Sequence, residues 1–283
     1  MFQQMSNFRA ASAVRSMSPL TVDQIRKAAP SAFAPAPHDS RSARYAYIPT
    51  STVLEGLREQ GFEVFSAMQA NCRSEGRREH TKHLLRLRHI GTEGRSMVVG
   101  DTVSEICLLN SHDGSSSYQM FAGVFRLTCL NGLMVCDSTL GAVKIPHSGK
   151  VQDRVIDGAY DILDGCIRVR ESQDNMASLT LDHEEKTLFA QAALTLRYDD
   201  EEKGAPIRAD QLLSPRRRGD TPNDLWTTFN VVQENIVKGG LAARTARNAR
   251  TSTREIKGLD QNVKINKALW MLADGMAKLK AAS

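Results

Sequence analysis

The chain has no uninterrupted apolar run of about 18 residues, the length a membrane-spanning helix requires, so none is expected. Its first residues, Met1-Phe2-Gln3-Gln4-Met5, lack the basic and then apolar stretches of a secretory leader. The five cysteines (Cys72, Cys107, Cys129, Cys136, Cys166) are odd in number and form no Cys-x-x-Cys pair. That argues against a disulfide framework or a zinc finger and fits a reducing cytoplasm. Phosphate loops of the GxxxxGK[ST] type, dinucleotide loops of the GxGxxG type and GxSxG elbows are also missing, which removes the usual signatures of nucleotide hydrolysis and acyl transfer. Aromatic residues make up only 6% of the chain, thin provision for reading nucleobases by stacking.

What is present is enough apolar material, 41% of 283 residues, to exclude a wholly disordered chain and to allow one large domain or two ordinary ones. Charge is unevenly spread. Residues 1–149 carry 16 Lys/Arg against 12 Asp/Glu, a net of +4, and residues 150–204 carry 7 against 13, a net of −6. Residues 205–283 carry 14 against 7, a net of +7. Two basic segments flanking an acidic one suggest an anionic partner, of which nucleic acid is the commonest for a soluble chain. The divisions expected are a flexible arm over 1–17, an α+β core over 18–149, an acidic segment over 150–204 and a basic helical region over 205–283.

The periodicity supports this layout. Thr21 opens a short helix through Ile25, stopped by Pro30, and an irregular connector follows. Tyr45, Tyr47 and Ile48 read as a brief strand. Thr52 to Glu55 fits a capping box, starting a helix that ends at Gly61. The period then changes to two, giving strands near 62–68, 82–90 and 96–110. Residues 115–127 read as a helix carrying Tyr118, Phe121, Ala122 and Phe125. The core is therefore expected to hold a three-stranded antiparallel sheet followed by a helix. Further helices are expected from Val151 to about Asp164, over Leu225–Gly239, and along Ile265, Leu269, Leu272, Met276 and Leu279.

Candidate chemistry is concentrated in the cations. Lys82, Arg86 and Arg88 fall on one face of the second strand, and Arg73, Arg77 and Arg78 lie in the turn that feeds it. A strand face carrying three cations is a poor core face but a good rail for a phosphate backbone. Arg244, Arg247, Arg250 and Arg254 recur at intervals of 3, 3 and 4, which would make one cationic stripe on a helix. Other constellations are weaker. Ser111-His112-Asp113 invites a catalytic reading, but neighbouring side chains diverge, so a turn that caps the next helix is expected instead. His80 and His83 are three apart on a strand and cannot converge on a metal.

The block Asn110-Ser111-His112-Asp113-Gly114-Ser115-Ser116-Ser117-Tyr118-Gln119, with Asn131-Gly132-Leu133 and Leu225-Trp226 through Gln233-Glu234-Asn235, resembles a plasmid- and phage-borne family known only as a domain of unknown function and called "phage/plasmid-like protein". The order helix, strand, helix ending in Gly-Phe, then three strands and a helix is similar to the core of single-strand annealing recombinases of the Rad fifty-two and Redβ type. That second resemblance implies an oligomeric ring or filament that holds single-stranded DNA without ATP hydrolysis and without a cofactor. The resulting expectation is a non-enzymatic annealing protein of a mobile element, with single-stranded DNA and further copies of itself as partners and no membrane. The competing expectations are a metal-dependent nuclease using Asp101, Glu105, His112 or Asp113, and an interaction protein that blunts a host defence.

Overall fold

Capping chemistry sets the first helix, where Thr21 N donates to Gln24 Oε1 and Gln24 N donates to Thr21 Oγ1. The computed structural model describes residues 13–40, 47–72, 75–92, 102–126, 133–134, 142–145, 151–198, 204–245 and 248–282; no helix among them is long and apolar enough to cross a membrane. The fold is mixed α+β. In chain order the elements are β1 (Ala13–Arg15), α1 (Val22–Ala28), α2 (Thr50–Glu59), β2 (Phe62–Gln69), α3 (Glu75–Arg78), β3 (His83–His89), β4 (Thr102–Asn110), β5 (Tyr118–Arg126), β6 (Leu133–Met134) and β7 (Ala142–Ile145). There follow α4 (Val151–Ser178), α5 (His183–Arg197), α6 (Leu225–Lys238), β8 (Ala242–Arg244), β9 (Arg250–Ser252) and α7 (Leu259–Ala281).

The expected three-stranded sheet is the middle of a wider one. The strand order is β1-β2-β3-β4-β5-β6, with β7 also pairing β5. Two departures account for the extra width. Ala13–Arg15, expected to belong to a frayed arm, pairs antiparallel with Ser66–Met68 as an edge strand. Residues 118–126, expected to be helical, form β5, whose Tyr118 to Phe121 pair with Ile145 to Ala142. Tyr118, Met120, Phe121, Ala122 and Gly123 are all buried, so the strand is covered on both faces and shows no alternation. Without alternation, the chance spacing of its aromatics imitates a helix. Two smaller differences occur upstream. Helix α2 starts at Thr50 after Pro49 without a side-chain cap, two residues before the expected capping box. Tyr47 and Ile48 are not in a strand, and the expected strand segment 96–101 lies outside the described residues. Gly61 does end α2 as expected, with φ +84, which an L side chain rarely adopts.

The chain divides into two compact units: residues 1–98, 104–122 and 141–165, and residues 99–103, 123–140 and 166–283. In the first, α1 and α2 pack on β2, and the core includes Ile25, Val53, Leu57, Phe62, Val64, Leu85, Leu87 and Met120. The start of α4 closes on α2 so tightly that a Cβ on Gly56 would lie 2.7 Å from Gln152 Nε2.

In the second unit α6 is the central element. Every residue of it except Thr227 and Lys238 is buried. Its Asp224 cap accepts from Thr227 N, and α5 and α7 pack around it. Ile265 and Leu269 of α7 are buried as expected. The rest of the buried stripe is Asn266, Trp270, Ala273 and Ala277 rather than Leu272, Met276 and Leu279. Leu272 and Met276 are half-buried and Leu279 is 73% exposed. The stripe is rotated because Trp270 meets Phe229 edge-on at 6.1 Å, and Gln233 donates to Asn266 at 2.8 Å.

Candidate nucleic-acid interface

Strand alternation places Arg86 and Arg88 on one face of β3, and register aligns that face across the sheet as Arg15, Ser66, Arg86 and Cys107. The face is not open. Arg86 and Arg88 are 6% and 4% exposed, and both donate through Nε to Glu105 of β4, itself 1% exposed. The Arg88 guanidinium also lies 4.1 Å over the Phe65 ring. The solvent-facing rail expected at these two positions is therefore corrected to a buried ion-pair cluster. Glu105 is the residue the cation reading left out; its signal was a lone acid on the neighbouring strand opposite two arginines. The same geometry bears on the nuclease reading, because both carboxylate oxygens of Glu105 are engaged by guanidinium groups. Among the described residues no group of three or more His, Cys, Asp and Glu is placed to hold a metal ion, and Asp101 lies outside them.

Arg77 and Arg78 are exposed on the single turn α3, whose backbone is tied down where Gln69 Nε2 and Thr81 Oγ1 donate to Arg78 O. Lys82 is half-buried just before β3, and Arg73 lies outside the described residues.

Arg244, Arg250 and Arg254 are not on a helix. Strands β8 and β9 pair antiparallel as a hairpin, in which Ala242, Ala243 and Arg244 face Ser252, Thr251 and Arg250. The near-helical spacing of the arginines arises because a five-residue loop returns Arg250 opposite Arg244. Both side chains are exposed, as is Arg254 two residues beyond β9; Arg247 lies outside the described residues. Among the described residues no carboxylate forms an ion pair with Arg244, Arg250 or Arg254. The hairpin is held at its base. Arg244 N donates to Pro206 O at 3.0 Å, and Gln211 Nε2 donates to Ala242 O at 2.8 Å. At Gly239, φ +62, a Cβ would lie 2.6 Å from the carbonyl carbon of Arg254, so this position requires glycine.

The basic loop before α6 has a different role from that of the hairpin. Arg217 grips the buried Glu234 bidentately at 2.5 and 2.6 Å, and Arg216 donates to Asn235 Oδ1 and Gly239 O. These cations anchor α6 and are not offered to solvent as a set.

The Ser111–Gly114 turn caps no helix, since a strand follows it. Asp113 Oδ1 accepts from Ser115 N and Oγ at 2.9 and 2.6 Å, and Ser111 Oγ accepts from Ser116 N at 2.7 Å. Partial burial pushes the Asp113 pKa up, but hydrogen bonds from Ser115 and Ser111 outweigh it and leave the pKa lowered.

Beside the turn, Thr50 Oγ1 lies 3.0 Å from His83 Nε2, 3.2 Å from His112 Nε2 and 3.4 Å from Tyr118 OH, and accepts from Asn110 Nδ2 at 3.1 Å. Tyr118 OH donates to Ile48 O at 2.9 Å. A hydroxyl has one proton and two lone pairs. With Asn110 occupying one lone pair, Thr50 can give its proton to one imidazole and accept from the other. The hydroxyl is satisfied when one Nε2 is protonated and the other is not. Burial lowers the His83 pKa to about 4, a backbone hydrogen bond at Thr81 opposing it, which keeps the ring neutral. His83 is thus a core histidine. His80 lies in the turn before β3 rather than on the strand expected for it, edge-on to His38 at 5.4 Å, and His112 N donates to its carbonyl at 2.9 Å.

Comparisons with known proteins place the chain in a family of unknown function. A family model described as "Domain of unknown function (DUF932)" matches residues 37–270. The chain is similar to the "UPF0380 protein YafZ" of Escherichia coli (strain K12), 47% identical over 271 residues, covering 96% of each chain. It is also similar to the "UPF0380 protein YfjQ" of the same organism, 48% identical over 269 residues, covering 95% of this chain and 96% of the relative. No solved structure matches it.

Proposed function

For a chain that belongs to the DUF932 family, whose description names no activity, we propose that it binds single-stranded nucleic acid through the phosphate backbone, independently of ATP. The observation that carries this reading is the β8–β9 hairpin, where Arg244 and Arg250 face each other in solvent without a carboxylate partner among the described residues. Like charges directly opposed on a hairpin are destabilising, and an anion laid between them removes the penalty. Arg254 nearby, and separately Arg77 and Arg78 in the first unit, extend the set of exposed cations. No exposed aromatic accompanies the arginines on β8 and β9, which favours a grip on phosphates over a reading of bases. Annealing of complementary strands by an assembly of copies of this chain is the activity such a grip would serve.

The test is binding of a labelled single-stranded oligonucleotide across a salt series. Log K should fall linearly with log salt, with a slope of about −0.7 per phosphate neutralised. Arg244→Gln with Arg250→Gln should make that slope shallower. Binding that ignores salt, or a double variant with an unchanged slope, would overturn the assignment. Faster pairing of complementary strands without ATP tests the annealing step, and light scattering tests the assembly.

A further inference from the structure

We infer that Asn248 is the positioning residue of a phosphate subsite on the β8–β9 hairpin, clamping Arg244 so that its guanidinium and that of Arg250 take one backbone phosphate between them. The inference rests on the nucleic-acid reading above and adds a residue and a geometry to it. Asn248 has φ +60, and it is the single described non-glycine residue with a positive φ. Asparagine is among the few side chains that accept this conformation. The loop is closed by its own hydrogen bonds: Asn248 N donates to Thr245 O at 2.8 Å, Thr245 N to Ala249 O at 3.0 Å, and Ala249 N to Thr245 Oγ1 at 3.1 Å. In this conformation Asn248 turns both its carbonyl and its side-chain oxygen toward Arg244, whose Nη1 donates to the two at 3.1 and 2.9 Å.

A guanidinium has five N–H donors, and Nη1 supplies two of them. Asn248 consumes both, which leaves Nε and Nη2, the edge that presents two parallel N–H bonds to a phosphate. No described acceptor takes that edge. A long side chain that would otherwise sample many rotamers is held, so less entropy is lost when it binds. Arg250 stands directly across the hairpin on the same face. From Gly239 to Arg254 the chain has four arginines and no Asp or Glu. The contacts to Pro206 and Gln211 fix the hairpin on the second unit, so the subsite is a held geometry rather than a loose basic tail.

The experiment compares the full chain with Asn248→Gly and Arg244→Gln, using the same single-stranded oligonucleotide with and without a 5′-phosphate over a salt series. Glycine accepts φ +60 without strain, so Asn248→Gly should melt like the parent while losing the side-chain half of the clamp. It is expected to bind several-fold more weakly with an unchanged salt slope, since no charge is lost. Arg244→Gln should lower affinity and also make the slope shallower by about 0.7. Equal affinity for the two oligonucleotides assigns the subsite to internal phosphates; a tenfold preference for the phosphorylated end would overturn the backbone assignment. Parent-like affinity of Asn248→Gly alongside a shallower slope for Arg244→Gln would overturn the positioning role and leave the nucleic-acid reading intact. Failure of the parent chain to bind at all would overturn both.

Discussion

Arg86 and Arg88 on β3 and Arg244 and Arg250 on the β8–β9 hairpin are the same chemical pair placed in opposite surroundings. The first two share a buried carboxylate; the second two face water and each other. In the sheet, removal from water makes Glu105 indispensable, because an unpaired buried charge is far costlier than the pair. On the hairpin, water already solvates both guanidiniums, so neither needs an internal partner and both stay available to an external anion. Residue type is alike in the two places, and all four arginines lie on strands. Cover is what divides an arginine tied into the core from one left facing water.

The largest effect is expected from removing that shared carboxylate. Glu105→Gln should cost about 3–5 kcal/mol in denaturant unfolding, because it removes the charge of the one buried carboxylate to which both guanidinium groups donate. Arg244→Gln and Arg250→Gln, being surface substitutions, should each stay within about 0.5 kcal/mol in the same assay. A neutral Glu105→Gln would break the contrast at its root.

The same division of buried against exposed runs along α7. Trp270→Ala should cost about 3–5 kcal/mol, the range for emptying a large aromatic from a core. Leu279→Ala on the same helix should cost close to nothing, since that side chain is 73% exposed. Equal losses at the two positions, measured by thermal unfolding, would mean that Leu279 is covered in solution.

A smaller and pH-dependent effect is expected in the first unit, from His83. Its folded pKa of about 4 lies below the ordinary 6.5, so on acidification the unfolded chain takes up a proton before the folded one does. Stability is therefore complete above pH 6.5 and is lost as the pH falls from 6.5 toward 4, by about 3 kcal/mol at most for this one group. His83→Gln should be less stable than the parent at pH 7 and should show a flatter decline over that window. The hairpin has no histidine, so oligonucleotide binding at a pH where the fold is intact should not follow the same curve.

Legibility in the sequence followed the same boundary between local and distant causes. Thr21 and Gln24 announce α1, Gly61 announces the end of α2, and the apolar spacing of Trp226, Phe229, Val232 and Ile236 announces α6; all three signals act within a turn or two of chain. Segment 118–126 misleads because both faces of β5 are buried, which erases the two-residue alternation. The arginines at 244, 247, 250 and 254 mislead because a hairpin loop of five residues produces nearly the spacing of a helix face. The site residues were legible as cations, but their roles were not. Glu105 is 17 residues from Arg88 and 19 from Arg86, so no spacing rule joins them. Asn248 carried no signal of its own until its φ and its contact with Arg244 were known.

By itself the amino-acid sequence determined the α+β composition of the chain, the limits of α1 and α6 and the end of α2, the excess of basic charge at its C-terminus, and its membership in the family. Those properties depend on composition and on neighbours a few residues apart. The tertiary structure alone decided which arginines are covered and which meet water, that Glu105 lies within reach of two of them, and that Thr50 gathers His83, His112, Asn110 and Tyr118 into one buried network. Solvent exposure and charge partners belong to strand register and packing, which bring together residues that are 17 to 68 positions apart in the chain.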